Sequence, residues 1–227
     1  MSDAVSEFDP ACRACPRLAT FLDDTRAQFP AYFCRPVPAF GAAEPRLLIV
    51  GLAPGMHGAN RTGRPFTGDH AGILLYETLH HFGFATAPVS VSTDDGLRLS
   101  DCRITNAVKC LPPGNKPETA EIVRCNAFLR VELQALPVGA VVLALGSIAH
   151  SAVLRAMGVK AGTRPFSHAA RHELPGGLTL FDSYHCSRYN TQTRRLTPEA
   201  FAAVFAAIRD FMETASCPLS ASSSPAN

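Results

Sequence analysis

Four stretches of the chain hold residue types able to do chemistry. The first runs Gly51-Leu52-Ala53-Pro54-Gly55-Met56-His57-Gly58-Ala59-Asn60-Arg61-Thr62-Gly63-Arg64-Pro65-Phe66-Thr67-Gly68-Asp69, with five glycines, two arginines and no acid before Asp69. A loop of this kind brings backbone N–H groups close to an anionic ligand and adds guanidinium charge. No Gly-Lys-Ser/Thr closes it and no G-x-G-x-x-G opens it, which argues against nucleotide triphosphates and dinucleotides. The second stretch is Asn106 within the apolar run Ile104 to Val108. A buried amide must satisfy a donor and an acceptor, and a pyrimidine edge with adjacent carbonyl and N–H does so; an Asn bridging two loops is the alternative.

The third stretch, Asp182 to Thr197, carries His185, Arg188, Arg194 and Arg195 and has no acid after Asp182. Its Ser187, Arg188, Asn190, Thr191 and Thr193 are residue types that contact phosphate and sugar without reading sequence. The fourth is a set of cysteines. Cys12 and Cys15 form a C-x2-C pair, and Cys110 and Cys125 a C-x14-C pair. In a reducing compartment such residues are metal ligands or reactive thiols before they are disulfides. The spacing admits zinc or an iron–sulfur cluster. Cys102 is close enough in sequence to be an alternative ligand, while Cys34, Cys186 and Cys217 read as single structural or tail thiols.

These residues need elements to hold them. Leu47–Val50, Cys102–Val108, Ala140–Leu145 and Leu178–Ser183 are short apolar runs bounded by turn residues, the pattern of strands buried on both faces. Helical patterns fall at 11–28, 71–82, 118–135, 147–157 and 198–214, the last opening at Thr197-Pro198-Glu199 with a cap and a first-turn proline. Strands alternating with helices predict a three-layer α/β/α fold around a mostly parallel, four-stranded sheet. In such a sheet the ligand crevice lies beyond the carboxyl ends of the strands, where the first three stretches fall. The expected domain is a single one over 11–213, with flexible tails at 1–10 and 217–227.

The chain has 227 residues, 47% hydrophobic and 18% charged, with a net charge of +2. A buried core is therefore feasible, and bulk electrostatics establishes no nucleic-acid partner. Only Lys109, Lys116 and Lys160 among the 21 basic residues are lysines; arginine suits bidentate phosphate contacts, although composition bias explains the excess equally well. No run approaches the roughly 20 apolar residues needed to span a bilayer, and the N-terminus lacks a basic-then-apolar leader. A cytoplasmic monomer is the expectation.

The loop Gly51 to Asp69, the four cysteines and the segment Tyr184-His185-Cys186-Ser187-Arg188-Tyr189-Asn190-Thr191 together resemble a family 5 uracil-DNA glycosylase over most of residues 11–213. The resemblance implies excision of uracil, and of other deaminated bases such as hypoxanthine and xanthine, from DNA. It also implies a [4Fe-4S] cluster on Cys12, Cys15, Cys110 and Cys125. Substrate contacts are implied at Gly51, Ala53, Gly55, Phe66, Asn106, Ser187, Arg188 and Asn190. The family usually has His-Pro-Ser where this chain has His185-Cys186-Ser187, a change that loosens the backbone there. Related families place a catalytic polar side chain at the position of Ala53, so here the chemistry must come from elsewhere.

Breaking an N-glycosidic bond develops positive charge on the sugar and negative charge on the base, so an anion is needed near one and a donor near the other. Asp69 suits the first role, orienting water or stabilising the sugar cation, and equally suits helix capping. His185 suits the second. Phe66 offers a flat face to an extruded base, and Tyr189 reads as either a minor-groove wedge or a packing residue. No lysine occurs in the first or third stretch, which disfavours Schiff-base chemistry with strand cleavage and leaves water as nucleophile. A cluster-stapled nucleic-acid-binding module without chemistry is the competing reading.

Overall fold

In the computed structural model, residues 8–216 are described. In chain order the elements are α1 (Pro16–Gln28), β1 (Phe40–Gly41), β2 (Leu47–Gly51), α2 (Ala59–Thr62), α3 (His70–His81), β3 (Cys102–Asn106), α4 (Thr119–Gln134), β4 (Val141–Leu145), α5 (Ser147–Ala156), β5 (Arg171–Glu173), β6 (Thr179–Ser183), α6 (Arg188–Gln192) and α7 (Pro198–Ser216). Every residue of β2, β4 and β6 is buried, as unbroken apolar runs require when helices cover both sheet faces.

Alternation divides those runs between two cores. Leu47, Ile49, Ile104 and Leu143 pack against Leu75 and Leu79 of α3 and Phe201 and Phe205 of α7. Leu48, Val50, Val142 and Ala144 face the other way, onto Leu129 and Leu133 of α4 and Val153 of α5. The expected three-layer α/β/α arrangement is present.

The sheet has six strands, not four, in the order β1-β3-β2-β4-β6-β5. The inner four are parallel, as expected, and each edge carries one antiparallel strand. Those edge strands are only two and three residues long and have no apolar run; their pairing comes from the finished sheet rather than from local pattern. Since β3 and β4 lie on opposite sides of β2, the chain reverses its direction of winding there, and the crevice opens at that switch.

Helix ends follow their sequence signals. Pro16 starts α1, so the helix expected from residue 11 begins five residues later. Asp69 caps α3 through Gly72 N–H at 2.9 Å, and Glu118 and Glu121 form a capping box on α4. The expected tail 1–10 includes Phe8, whose ring packs edge-on against Phe128 at 5.9 Å. Tail residues 1–7 and 217–227 lie outside the described residues. Among the described residues no helix is long and apolar enough to cross a membrane.

Candidate active site

A cavity of about 410 Å³ opens where β2, β3 and β6 end, lined by Phe66, Asp69, Asn106 and His185 together with Ala53 and Gly55. The strand register places two of its walls. Gly51 pairs with Asn106 at the last rung of β2 and β3. A Cβ at Gly51 would lie 2.4 Å from Asn106 Oδ1 and 2.7 Å from the Phe66 ring. Gly51 therefore supplies space for Asn106 and Phe66 to approach each other, and it is not itself part of the lining. Asn106 is 3% exposed, and among the described residues its Oδ1 has no hydrogen-bond partner. An orphaned buried carbonyl is costly, and a ligand N–H would satisfy it.

Phe66 enters the cavity from a left-handed backbone conformation, φ 55°, uncommon for a bulky residue. The surroundings hold it there. Gly72 presses so close to the Phe66 carbonyl that a Cβ would lie 1.8 Å from that oxygen. The Tyr76 hydroxyl donates to the Pro65 carbonyl at 2.8 Å. Phe66 stacks against His185, with ring centroids 5.8 Å apart and planes inclined by 28°.

Asp69 is both a helix cap and a cavity residue. One carboxylate oxygen caps α3, and the residue also forms cavity wall, with Oδ2 close to the backbone at Gly55 and Gly58. A Cβ on Gly58 would lie 2.6 Å from that oxygen, so the glycine is needed for the approach. Burial raises the Asp69 pKa, while backbone donation from Gly72 and Ala71 and the neighbouring His70 pull the other way. Burial also brings His185 down to about 4. His185 is thus a neutral ring near pH 7, able to donate one hydrogen bond without carrying charge.

Ser187 and Arg188 reach the cavity mouth. Asn190 does not: its amide donates to the His185 carbonyl at 2.8 Å, fixing the loop from within. Tyr189 is 70% exposed beside this mouth, so the packing reading is ruled out. Arg64, read from sequence as an anion ligand, is 4% exposed and lies inside the protein. Its guanidinium pairs with Asp95 at 2.7 Å, donates to Ser90 and to the Thr93 carbonyl, and lies 4.3 Å over the Phe40 ring. Burial alone would raise the Asp95 carboxyl, but Arg64 and backbone donors bring it down to about 2. Arg64 is a staple under the loop. His70 and Asn115 also line the cavity and were not singled out from sequence. His70 Nε2 is 3.1 Å from Thr191 Oγ1, tying α3 to α6; its place directly after Asp69 was the available signal.

Cys12, Cys15, Cys110 and Cys125 surround a second cavity of about 230 Å³. Cys102 lies in the core under α3 and α7 and does not line that cavity, which removes it as a ligand. Cys186 is likewise buried in that core, and burial pushes its thiol up, leaving it an inert packing residue. Around one tetrahedral ion, thiolates at ~2.3 Å from the metal stand about 3.8 Å apart. Among the described residues only His150, His172 and Asp182 bring three such ligand atoms within 4.8 Å of one another. The four thiols line one cavity, and as a donor set they suit a zinc ion or an iron–sulfur cluster. The Lys109 backbone N–H donates to Cys125 Sγ at 3.3 Å, and Arg124 Nη1 approaches Cys15 Sγ at 3.9 Å, so a backbone donor and a guanidinium face two of the sulfurs. Lys109 stands between Asn106 and Cys110, with its ammonium buried against Thr105 and 2.8 Å from Glu132.

A mostly parallel sheet whose strand ends enclose an aromatic ring, a buried amide carbonyl, a capping carboxylate and a neutral imidazole is an α/β fold with one polar cavity at its strand ends. Residues 38–209 match the family model of the Uracil DNA glycosylase superfamily, and the chain belongs to that superfamily. It is 49% identical over 199 residues to a type-5 uracil-DNA glycosylase of Thermus thermophilus, covering 86% of this chain and 90% of the relative. The type-5 uracil-DNA glycosylase of Mycobacterium leprae is 46% identical over 203 residues, covering 86% and 88%. That of Pyrobaculum aerophilum is 43% identical over 197 residues, covering 85% of each chain.

Proposed function

We propose that this protein removes uracil from DNA by hydrolysing its N-glycosidic bond, leaving an abasic site, and that it accepts hypoxanthine and xanthine as well. One observation carries the reading: Phe66, Asp69, Asn106 and His185 face a single cavity in which Asn106 Oδ1 is buried without a partner. A base extruded from the duplex stacks on Phe66, and its N–H meets Asn106 Oδ1. His185, neutral, donates to the carbonyl oxygen on which negative charge develops. The Asp69 carboxylate orients water and stabilises the cationic sugar. Ser187 and Arg188 hold the flanking phosphates, and Asn190 acts indirectly by fixing the His185 backbone.

The four cysteines would hold a [4Fe-4S] cluster, which supplies a structural cross-link. This chain's own contribution is to tie the N-terminal segment to the β3 exit through Lys109, three residues from Asn106. The protein works as a cytoplasmic monomer. The test uses duplex oligonucleotides carrying one uracil, hypoxanthine or xanthine, incubated with protein and then treated with alkali. Strand breakage at uracil is expected; a gel shift without breakage would replace the enzyme by a binding module.

A further inference from the structure

Outside the cavity, histidines gather around the end of β6. His150 Nδ1 lies 2.8 Å from Asp182 Oδ1, and His172 Nε2 lies 3.2 Å from Oδ2. Their clustering is tight enough for a metal. However, 2.8 Å is the length of a charge-assisted hydrogen bond, whereas two donor atoms on a tetrahedral zinc stand about 3.3 Å apart. His150 Nε2 is also 2.8 Å from the Arg164 carbonyl, which can only accept. Both nitrogens of His150 thus face acceptors, and the ring is an imidazolium paired with the buried Asp182.

That pair anchors the neighbouring segment. Ala169 N–H donates to the Asp182 carbonyl at 2.9 Å, and Asp182 N–H donates to the Ala170 carbonyl at 3.0 Å. So held, His168 turns Nδ1 toward Tyr184 N–H at 3.2 Å, and its ring stacks on Tyr184 at 5.1 Å and 11°. A backbone N–H can only donate, so Nδ1 must carry a lone pair and His168 must be neutral. A proton there would set two donors against each other, one of them on the residue preceding His185.

We propose that His168 is a positioning residue for His185: neutral, it accepts the Tyr184 N–H and fixes the β6 exit; protonated, it releases that exit and draws His185 away from the cavity. The groups facing His168 agree with this. Arg195 lies 4.5 Å over the Tyr184 ring, adding positive charge nearby, and Ser183 Oγ is 3.5 Å from Nδ1. Burial lowers the His168 pKa, offset in part by a backbone hydrogen bond at Ala200 of α7. His150, by contrast, faces Asp182 and His172 and keeps its charge.

The kinetic consequence rests on the glycosylase reading, so the test pairs it with a measurement that needs no activity. His168→Asn keeps an acceptor near Nδ1 that does not titrate. Side-chain histidine NMR of the full chain is followed from pH 8 to pH 5, and single-turnover cleavage of a uracil duplex is measured over the same range. In the unsubstituted protein His185 resonances should shift with the midpoint of His168, and in H168N that shift should vanish. Cleavage should fall about tenfold more in the unsubstituted protein than in H168N. His185 resonances indifferent to His168 protonation, or identical pH–rate profiles, would overturn the proposal. If H168N does not fold, the NMR coupling in the unsubstituted protein decides. No cleavage by the unsubstituted protein at any pH would reject the glycosylase reading while the NMR result still stands.

Discussion

Gly51 and Asn106 are partners at the final rung of adjacent parallel strands, and the first has no side chain where the second places its amide oxygen 2.4 Å from a would-be Cβ. The Gly51 backbone does not lie in the left-handed region, so an added methyl acts through crowding alone. Gly51→Ala should cut uracil excision about 100-fold by displacing Asn106 and Phe66, with only a few degrees lost from Tm. Single-turnover kinetics and a thermal melt check this together; near-normal excision would remove Asn106 from the site.

Asp69 caps a helix and walls the cavity, and two substitutions separate those duties. Asparagine caps as well as aspartate but carries no charge. Asp69→Asn should keep stability within about 0.5 kcal/mol while excision drops by about 100-fold or more. Asp69→Ala should add a cap loss of about 1 kcal/mol in urea unfolding. Full excision by D69N would leave Asp69 as a cap alone.

His185 titrates near 4 in the folded chain, against about 6.5 unfolded. Between those values the unfolded state binds more protons, so the contribution of the neutral ring is fully present above pH 6.5 and is lost as pH falls toward 4. His185→Asn should flatten urea midpoints across that window. An unchanged pH dependence would mean that burial does not hold this ring neutral.

Cys110 and Cys125 are expected to hold iron. Anaerobically purified protein should contain about four iron and four sulfide per chain. Cys110→Ser should lower both and reduce the protection of residues 9–18 from proteolysis. One zinc per chain in place of iron would overturn the cluster assignment.

Arg188 lines the cavity, and Arg188, Arg194 and Arg195 are all exposed. Each one that contacts phosphate should, when replaced by Ala, reduce the slope of log affinity against log salt by about 0.9 on duplex DNA. Equilibrium binding of D69N at several salt concentrations isolates this effect from cleavage. A slope that none of the three changes places the DNA backbone elsewhere.

Strands buried on both faces announce themselves, and β2, β4 and β6 were legible for that reason. The edge strand β5, reading Arg171-His172-Glu173, carries no such pattern because its pairing partner defines it. The burial of Arg64 was equally hidden: its counter-ion, Asp95, lies 31 residues away, and residue type alone favours the surface. Phe66, Asp69, Asn106 and His185 were legible as a group because strand ends in a parallel sheet converge whatever the loops between them do. That Asp69 both caps α3 and lines the cavity was not legible in sequence, where capping and a site carboxylate call for the same side chain.

The unusual backbone of Phe66, braced by Gly72 and Tyr76, means that the receptor is shaped in advance of any encounter with DNA. Discrimination then shifts onto the nucleic acid. On the proposed reading, nucleotides that unstack readily, in mismatches or frayed ends, would find a finished mould waiting, while well-paired neighbours would rarely present themselves to it.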